Sequence, residues 1–249
     1  MDLTLPLEHW DLFAYGVWTT LHLTVLSLLV GFAIALPSAL ALCRGARWSP
    51  LIRGYVYVFR GTPLIVQTYL IYYGLAQFEW VRESVFWPVL REAWWCALIA
   101  FSLNSGAYAT EILRGAIATT PKGEVEGARA LGLSEKGLTW LIVVPSSLRR
   151  ALPQYGNEIV FMLHGSVVAS VITIQDILGA GRTLNAKYYV AYEGFLTAAI
   201  LYMAITFLVV AIFRQVERRY LRHLNIQADA PKAGGTTLAT GGIGAAATR

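Results

Sequence analysis

Charge is scarce in this chain. Only 14% of its 249 residues are Asp, Glu, Lys or Arg, where a soluble domain carries about a quarter. With 56% apolar residues and a mean hydropathy of +0.53, the deficit argues against a soluble domain and for a polytopic membrane protein. Cysteine is scarcer still. Cys43 and Cys96 stand far apart, which leaves no metal or redox spacing; in apolar stretches they read as packing residues. No Lys or Arg precedes Arg44, whereas Asp2, Glu8 and Asp11 do. That is the wrong charge for a signal peptide, so the first apolar segment is expected to be retained. There is no GxxxxGK[ST] phosphate loop, nucleophile elbow or metal cluster. The chain is therefore not expected to be an enzyme, and any ATP hydrolysis must come from another chain. The net charge of +5 sits in short loops between apolar runs, which fits cytoplasmic loops and not a nucleic-acid partner.

What is present is apolar length. A spanning helix needs about 20 mostly apolar residues, and five segments qualify. They run over about Gly16 to Leu42 (with Pro37 as the expected kink), Val56 to Phe78, Trp94 to Ala116, Ala151 to Ile174 and Phe195 to Phe213. With the N-terminus outside, the inner loops hold 16 of the 20 Lys and Arg residues and the outer loops hold four: Arg82, Arg91, Arg182 and Lys187. That asymmetry predicts an all-α protein with five transmembrane helices, N-out and C-in. Trp80, Phe86, Trp87, Trp94 and Trp95 read as an interfacial aromatic belt on the outer side. Residues 175 to 192 read as an amphipathic turn or helix on the outer surface. The expected organisation is an N-terminal periplasmic segment 1–15, a membrane domain 16–224 and a tail 225–249. The fifth helix should continue past Arg214 into the cytoplasm. The tail is Ala/Gly/Thr-rich and predicted disordered.

The longest inner segment, about 117–150, carries an unusual string: Glu126-Gly127-Ala128-Arg129-Ala130-Leu131-Gly132, followed by Ile142-Val143-Val144-Pro145. Pro121-Lys122-Gly123 should break the preceding helix. A short helix should follow over Glu124 to Leu131, with its acids at the positive end. Ser134 should cap a second, Glu135 to about Val143, and Pro145 should end it. Ala128 and Gly132, four apart, with Gly127 beside them, would let a partner surface approach closely.

This string resembles the "EAA" loop of permease subunits in bacterial ABC importers, with Gly127 where Ala is usual and Val144 where Leu is usual. The resemblance extends over about Gly16 to Leu224. Phe59-Arg60-Gly61-Thr62-Pro63-Leu64 with Gln67, and Asn104-Ser105-Gly106-Ala107-Tyr108 leading to Glu111-Ile112, look like the polar amino acid permeases. Asn157-Glu158 through His164 is similar to the M-type permeases of histidine and lysine/arginine/ornithine importers; opine importers share much of the pattern. The resemblance implies a type I ABC importer permease fold in the bacterial inner membrane, moving cationic amino acids by alternating access. It implies a second, Q-type permease subunit, an ATPase subunit dimer and a periplasmic substrate-binding protein as partners. ATP and magnesium would reside in the ATPase, with no cofactor on this chain. Residues Glu126, Gly127, Ala128, Gly132 and Pro145 would form the ATPase-coupling loop.

The residues themselves suggest where a substrate would sit. A charge inside a spanning helix costs about 2.5–3.5 kcal/mol on insertion scales and needs a partner or a water-filled path. Glu158 and Glu111 are such charges, suited to a guanidinium, ammonium or imidazolium group; an ion pair with Arg60 or Arg114, or a structural hydrogen bond, explains them as well. Asn104, Tyr108 and Glu111 fall on one helix face, lining a cavity or joining helices. Asn157, Gln67 and Thr62 complete the candidate substrate set. Arg60 and His164 read as gating or structural residues, and Asp176 and Arg182 as outer-loop residues that are solvated or meet the binding protein. A proton-coupled secondary transporter with a Glu158–Glu111 relay would be a different class, but such folds carry more helices and internal repeats.

Overall fold

The computed structural model describes residues 4–220, and these are helical with short connections. After a single turn at Leu5–Glu8 comes α1, Trp10–Cys43, which continues through Pro37. Helix α2, Ser49–Gly61, and α3, Leu64–Tyr69, follow. Two single turns at Glu79–Arg82 and Trp87–Leu90 lead to α4, Ala93–Ala118. The coupling segment gives α5, Lys122–Ala130. Then α6, Val144–Gly165, α7, Ile177–Tyr188, and α8, Ala191–Tyr220, complete the bundle. The expected tail, 225–249, lies outside the described residues.

Four stretches are long and apolar enough to cross a membrane: Trp10–Cys43, Ala93–Ala118, Glu135–Ile172 and Ala191–Arg219. The expected second helix, Val56 to Phe78, is not one element. Thr62 and Pro63 take extended backbone and divide it into α2 and α3, because the residue before a proline is pushed out of the helical region. Beyond α3 the chain loosens into a π-helical turn at Leu70–Gly74 and a 3-10 turn at Leu75–Gln77.

The core forms where small residues let helices close on one another. Helices α1 and α4 pack through Ala35, Ala39, Ala109 and Ala116, and a Cβ on Gly31 would lie 3.0 Å from the Gly106 backbone nitrogen. Lipid offers no hydrophobic drive between helices, so such close backbone approach is what holds them. A second cluster, Leu23, Phe101, Met162 and Ile172, ties α6 to this pair. A third, Phe13, Ile177, Ala180, Leu184 and Ala198, joins α1, α7 and α8. Outward surfaces are apolar: Trp18, Leu29, Tyr57, Phe207 and Leu208 are all exposed. Both cysteines are free, Cys96 buried and Cys43 exposed.

The expected surface helix at 175–192 is instead anchored. Asp176 is 1% exposed. Its Oδ1 accepts from the Gly179 backbone N–H at 2.6 Å as the N-cap of α7, and its Oδ2 accepts from the Tyr202 hydroxyl at 3.1 Å. Arg182 donates to the Ser170 carbonyl at 3.1 Å. Asp176 is thus a buried cap and not a solvated loop residue.

Candidate functional site

A cavity of about 840 Å3 lies between α2–α3, α4 and α6. Five of the seven candidate substrate residues line it: Asn104, Tyr108, Glu111, Asn157 and Glu158. The stripe on α4 therefore faces this space. Glu158 sits on α6, roughly 21 Å from Val144 at 1.5 Å per residue, and only 6% of it is exposed. Among the described residues it forms no ion pair within 4 Å. Glu111 differs. Arg114, one turn on, grips it with both arms of the guanidinium, Nε donating to Oε2 at 2.9 Å and Nη2 to Oε1. The Arg60 guanidinium lies over the Tyr108 ring, 5.2 Å from its centroid, in cation–π range, and also lines the cavity.

Gln67 and Thr62 stand behind the wall, neither lining the cavity. Gln67 is buried. Its amide nitrogen donates to the Phe59 carbonyl (2.8 Å), the Thr62 carbonyl (3.0 Å) and the Thr62 hydroxyl (2.8 Å). Its amide oxygen accepts from Asn104 Nδ2 at 3.0 Å, which also donates to the Phe59 carbonyl at 3.2 Å. The Thr62–Pro63 break leaves carbonyls without helical partners, and unpaired buried backbone groups are costly. Gln67 and Asn104 supply those partners, so this pair braces the broken helix and orients the cavity wall. His164, exposed and outside the lining, joins Thr206 of α8 at 3.0 Å.

The segment 119–150 forms a hairpin at one end of the bundle. Helix α5 ends in a Schellman motif: Leu133 N–H donates to the Ala128 carbonyl and Gly132 N–H to the Arg129 carbonyl. Gly132 takes φ of +77°, which glycine accepts without steric cost. Ser134 caps the next turn, accepting from Gly137 N–H at 3.2 Å. A groove of about 460 Å3 runs between α5 and the following helix, lined by Gly127, Leu131, Leu141, Ile142 and Pro145 among others.

The model of the family described as "Binding-protein-dependent transport system inner membrane component" matches residues 18–222. The chain belongs to this family. It is an inner-membrane permease subunit and not an enzyme. It is 41% identical over 218 residues to the octopine transport system permease protein OccM of Rhizobium meliloti, covering 85% of this chain and 88% of that one. It is 39% identical over 211 residues to the histidine/lysine/arginine/ornithine transport system permease protein HisM of Escherichia coli (strain K12), covering 84% and 89%. A solved structure described as an amino acid ABC transporter with histidines aligns with a TM-score of 0.77 at 30% identity, covering 88% of this chain and 99% of that one.

Two details of the permease's hairpin differ from the sequence expectation. Pro145 does not end a helix. The backbone is helical from Glu135 to Ile172, with π-helical geometry at Leu138–Val143 feeding into α6. Pro145 lies inside this continuous helix, directly after the π-helical turn. Ala128 is 5% exposed and faces inward, whereas added Cβ atoms on Gly127 or Gly132 would meet nothing within 4 Å. The outward small surface is thus glycine, with Glu126 exposed beside it. Arg150, one of the 16 inner-loop cations, carries no site signal in the sequence. It lines the cavity and donates to the Ala116 carbonyl from Nη2 at 3.1 Å.

Proposed function

We propose that this permease subunit imports cationic amino acids (histidine, arginine, lysine or ornithine) from the periplasm across the inner membrane by alternating access. The observation that carries the reading is Glu158, a buried carboxylate on the wall of a cavity of about 840 Å3. Unlike Glu111, it has no cation paired to it among the described residues. A substrate cation is a natural counter-charge, and HisM, whose name gives four basic amino acids, supports it. Asn104, Tyr108 and Asn157 would contact the remainder of the substrate.

The proposed working unit adds a second, Q-type permease, two ATPase subunits carrying ATP and magnesium, and a periplasmic binding protein. Residues 117–150, with Glu126, Gly127, Gly132 and the groove at Pro145, would dock the ATPase. In the membrane the chain would be N-out and C-in with five spans, the broken α2–α3 unit supplying the fifth. Residues 1–15 would form the periplasmic segment, 16–224 the membrane domain and 225–249 the tail.

A second reading is an opine substrate. An opine adds a carboxylate to a basic amino acid, and Arg60 and Arg150 line the same cavity; the likeness to OccM supports it equally. Labelled arginine uptake into proteoliposomes holding the whole importer separates the two. Competition by histidine, lysine and ornithine, with loss of uptake in Glu158→Gln, is the expected result. Competition mainly by octopine would favour the opine reading. Unchanged uptake in Glu158→Gln would move the cation site to the partner permease.

A further inference from the structure

The connection from Ala118 to α5 is short and non-helical at Thr120–Pro121. It gives α5 no continuous helical link to α4. A line of side chains bridges that connection. Glu124 Oε2, on α5, accepts from the Ser146 hydroxyl at 2.6 Å. The same hydroxyl oxygen accepts from Arg150 Nη1 at 2.6 Å. Arg150 Nη2 donates in turn to Thr120 Oγ1 at 2.7 Å, the Ala116 carbonyl at 3.1 Å and Ser147 Oγ at 3.2 Å. Its Nε also reaches the Ala116 carbonyl, at 3.4 Å. Ala116 belongs to the last turn of α4, where exposed carbonyls make a negative end that favours a guanidinium. Both Ala116 and Arg150 line the cavity, and α4 carries Asn104, Tyr108 and Glu111 on that wall.

We propose that Glu124, Ser146 and Arg150 form the strut that transmits movement of the coupling hairpin to the inner end of α4, with Arg150 as its positioning residue. The proposal rests on the reading of residues 117–150 as the ATPase-docking segment. A rigid fork is what the geometry needs. One planar guanidinium reaches α4, the linker and α6 at once, which a lysine ammonium on a flexible stem does not reproduce. Charge-assisted bonds at both ends of Ser146 make the line stiffer than neutral contacts would. Displacing α5 at Glu124 therefore pulls on the carbonyl end of α4.

The test uses the assembled importer in proteoliposomes, reading the ratio of ATPase activity with substrate-loaded binding protein to basal activity. In Ser146→Ala the ratio should fall by about tenfold, the scale of one charge-assisted hydrogen bond, in preparations matched for bound ATPase subunits. Arg150→Lys should lower the ratio similarly, and the double variant should be no worse than the more affected single one, because all three break one line. Full stimulation in Ser146→Ala, or losses that multiply in the double variant, would overturn the strut. So would loss of the ATPase subunits from Ser146→Ala, since the line would then only hold the docking helix in place. If Arg150→Lys does not insert, Ser146→Ala decides alone. Failure of the docking reading has its own signature: Gly132→Asp would keep a full complement of bound, stimulated ATPase.

Discussion

The glycines of two regions have opposite surroundings. Where α1, α7 and α8 meet, glycine is needed because backbones touch. A Cβ on Gly16 would lie 2.7 Å from the Asp176 carbonyl oxygen, and Cβ atoms on Gly181 and Gly194 would each lie 2.8 Å from the other's carbonyl oxygen. In the coupling hairpin, a Cβ on Gly123, Gly127 or Gly132 would meet nothing within 4 Å. Gly132 is fixed by its positive φ of +77°, but nothing in this chain's own packing asks for a small residue at Gly123 or Gly127. One region spends its glycines on holding itself together, and the other presents them outward. That contrast is what the proposed ATPase-docking role of the hairpin requires.

Substitutions at matched sites should pull the two regions apart. Gly181→Leu should have the largest effect, because the neighbour is backbone and cannot rotate away. A loss of about 3 kcal/mol or more is expected, read as a large fall in the melting temperature of the detergent-solubilised chain. Gly127→Leu should leave that melt unchanged within about 0.5 kcal/mol and yet stop the ATPase subunits from co-purifying. Equal melts for the two variants would erase the contrast. Next comes Asp176→Ala, which removes the cap of α7 and leaves the Tyr202 hydroxyl without its acceptor. About 2 kcal/mol is expected, and hydrogen exchange should show α7 opening. The counterpart in the hairpin, Ser134→Ala, loses a solvent-exposed cap and should cost about 1 kcal/mol, confined to the turn at Glu135–Gly137 in the same measurement. A larger loss there than at Asp176 would mean that the hairpin, and not the α1–α7–α8 contact, limits stability.

The sequence announced much of this, and its omissions share a cause. Four long apolar stretches, the helix break at Pro121, the Ser134 cap and the α4 stripe all depend on neighbours within a turn or two, so periodicity and capping rules reach them. The roles of Asp176, Gln67 and Arg150 depend in part on partners elsewhere in the chain. Tyr202 is 26 residues from Asp176, Asn104 is 37 from Gln67, and Ala116 is 34 from Arg150. Pro63 and Pro145 were misread in opposite directions. One breaks a segment that hydropathy alone joined, and the other is absorbed by π-helical backbone just before it. The cavity was foreseen only as a set of residue types; its wall needed the fold.

The hydrogen bond from the Ile177 backbone N–H to the Thr20 hydroxyl, 3.3 Å long, joins positions 157 apart. At a ribosomal pace of about 5–20 residues per second, α1 waits between roughly 8 and 30 seconds for that partner. Throughout that interval the packing seat at Gly16 and Thr20 has no occupant from this chain. Closure of the α1–α7–α8 contact is thus a late step of synthesis, and a chain cut short before α7 would leave that seat open.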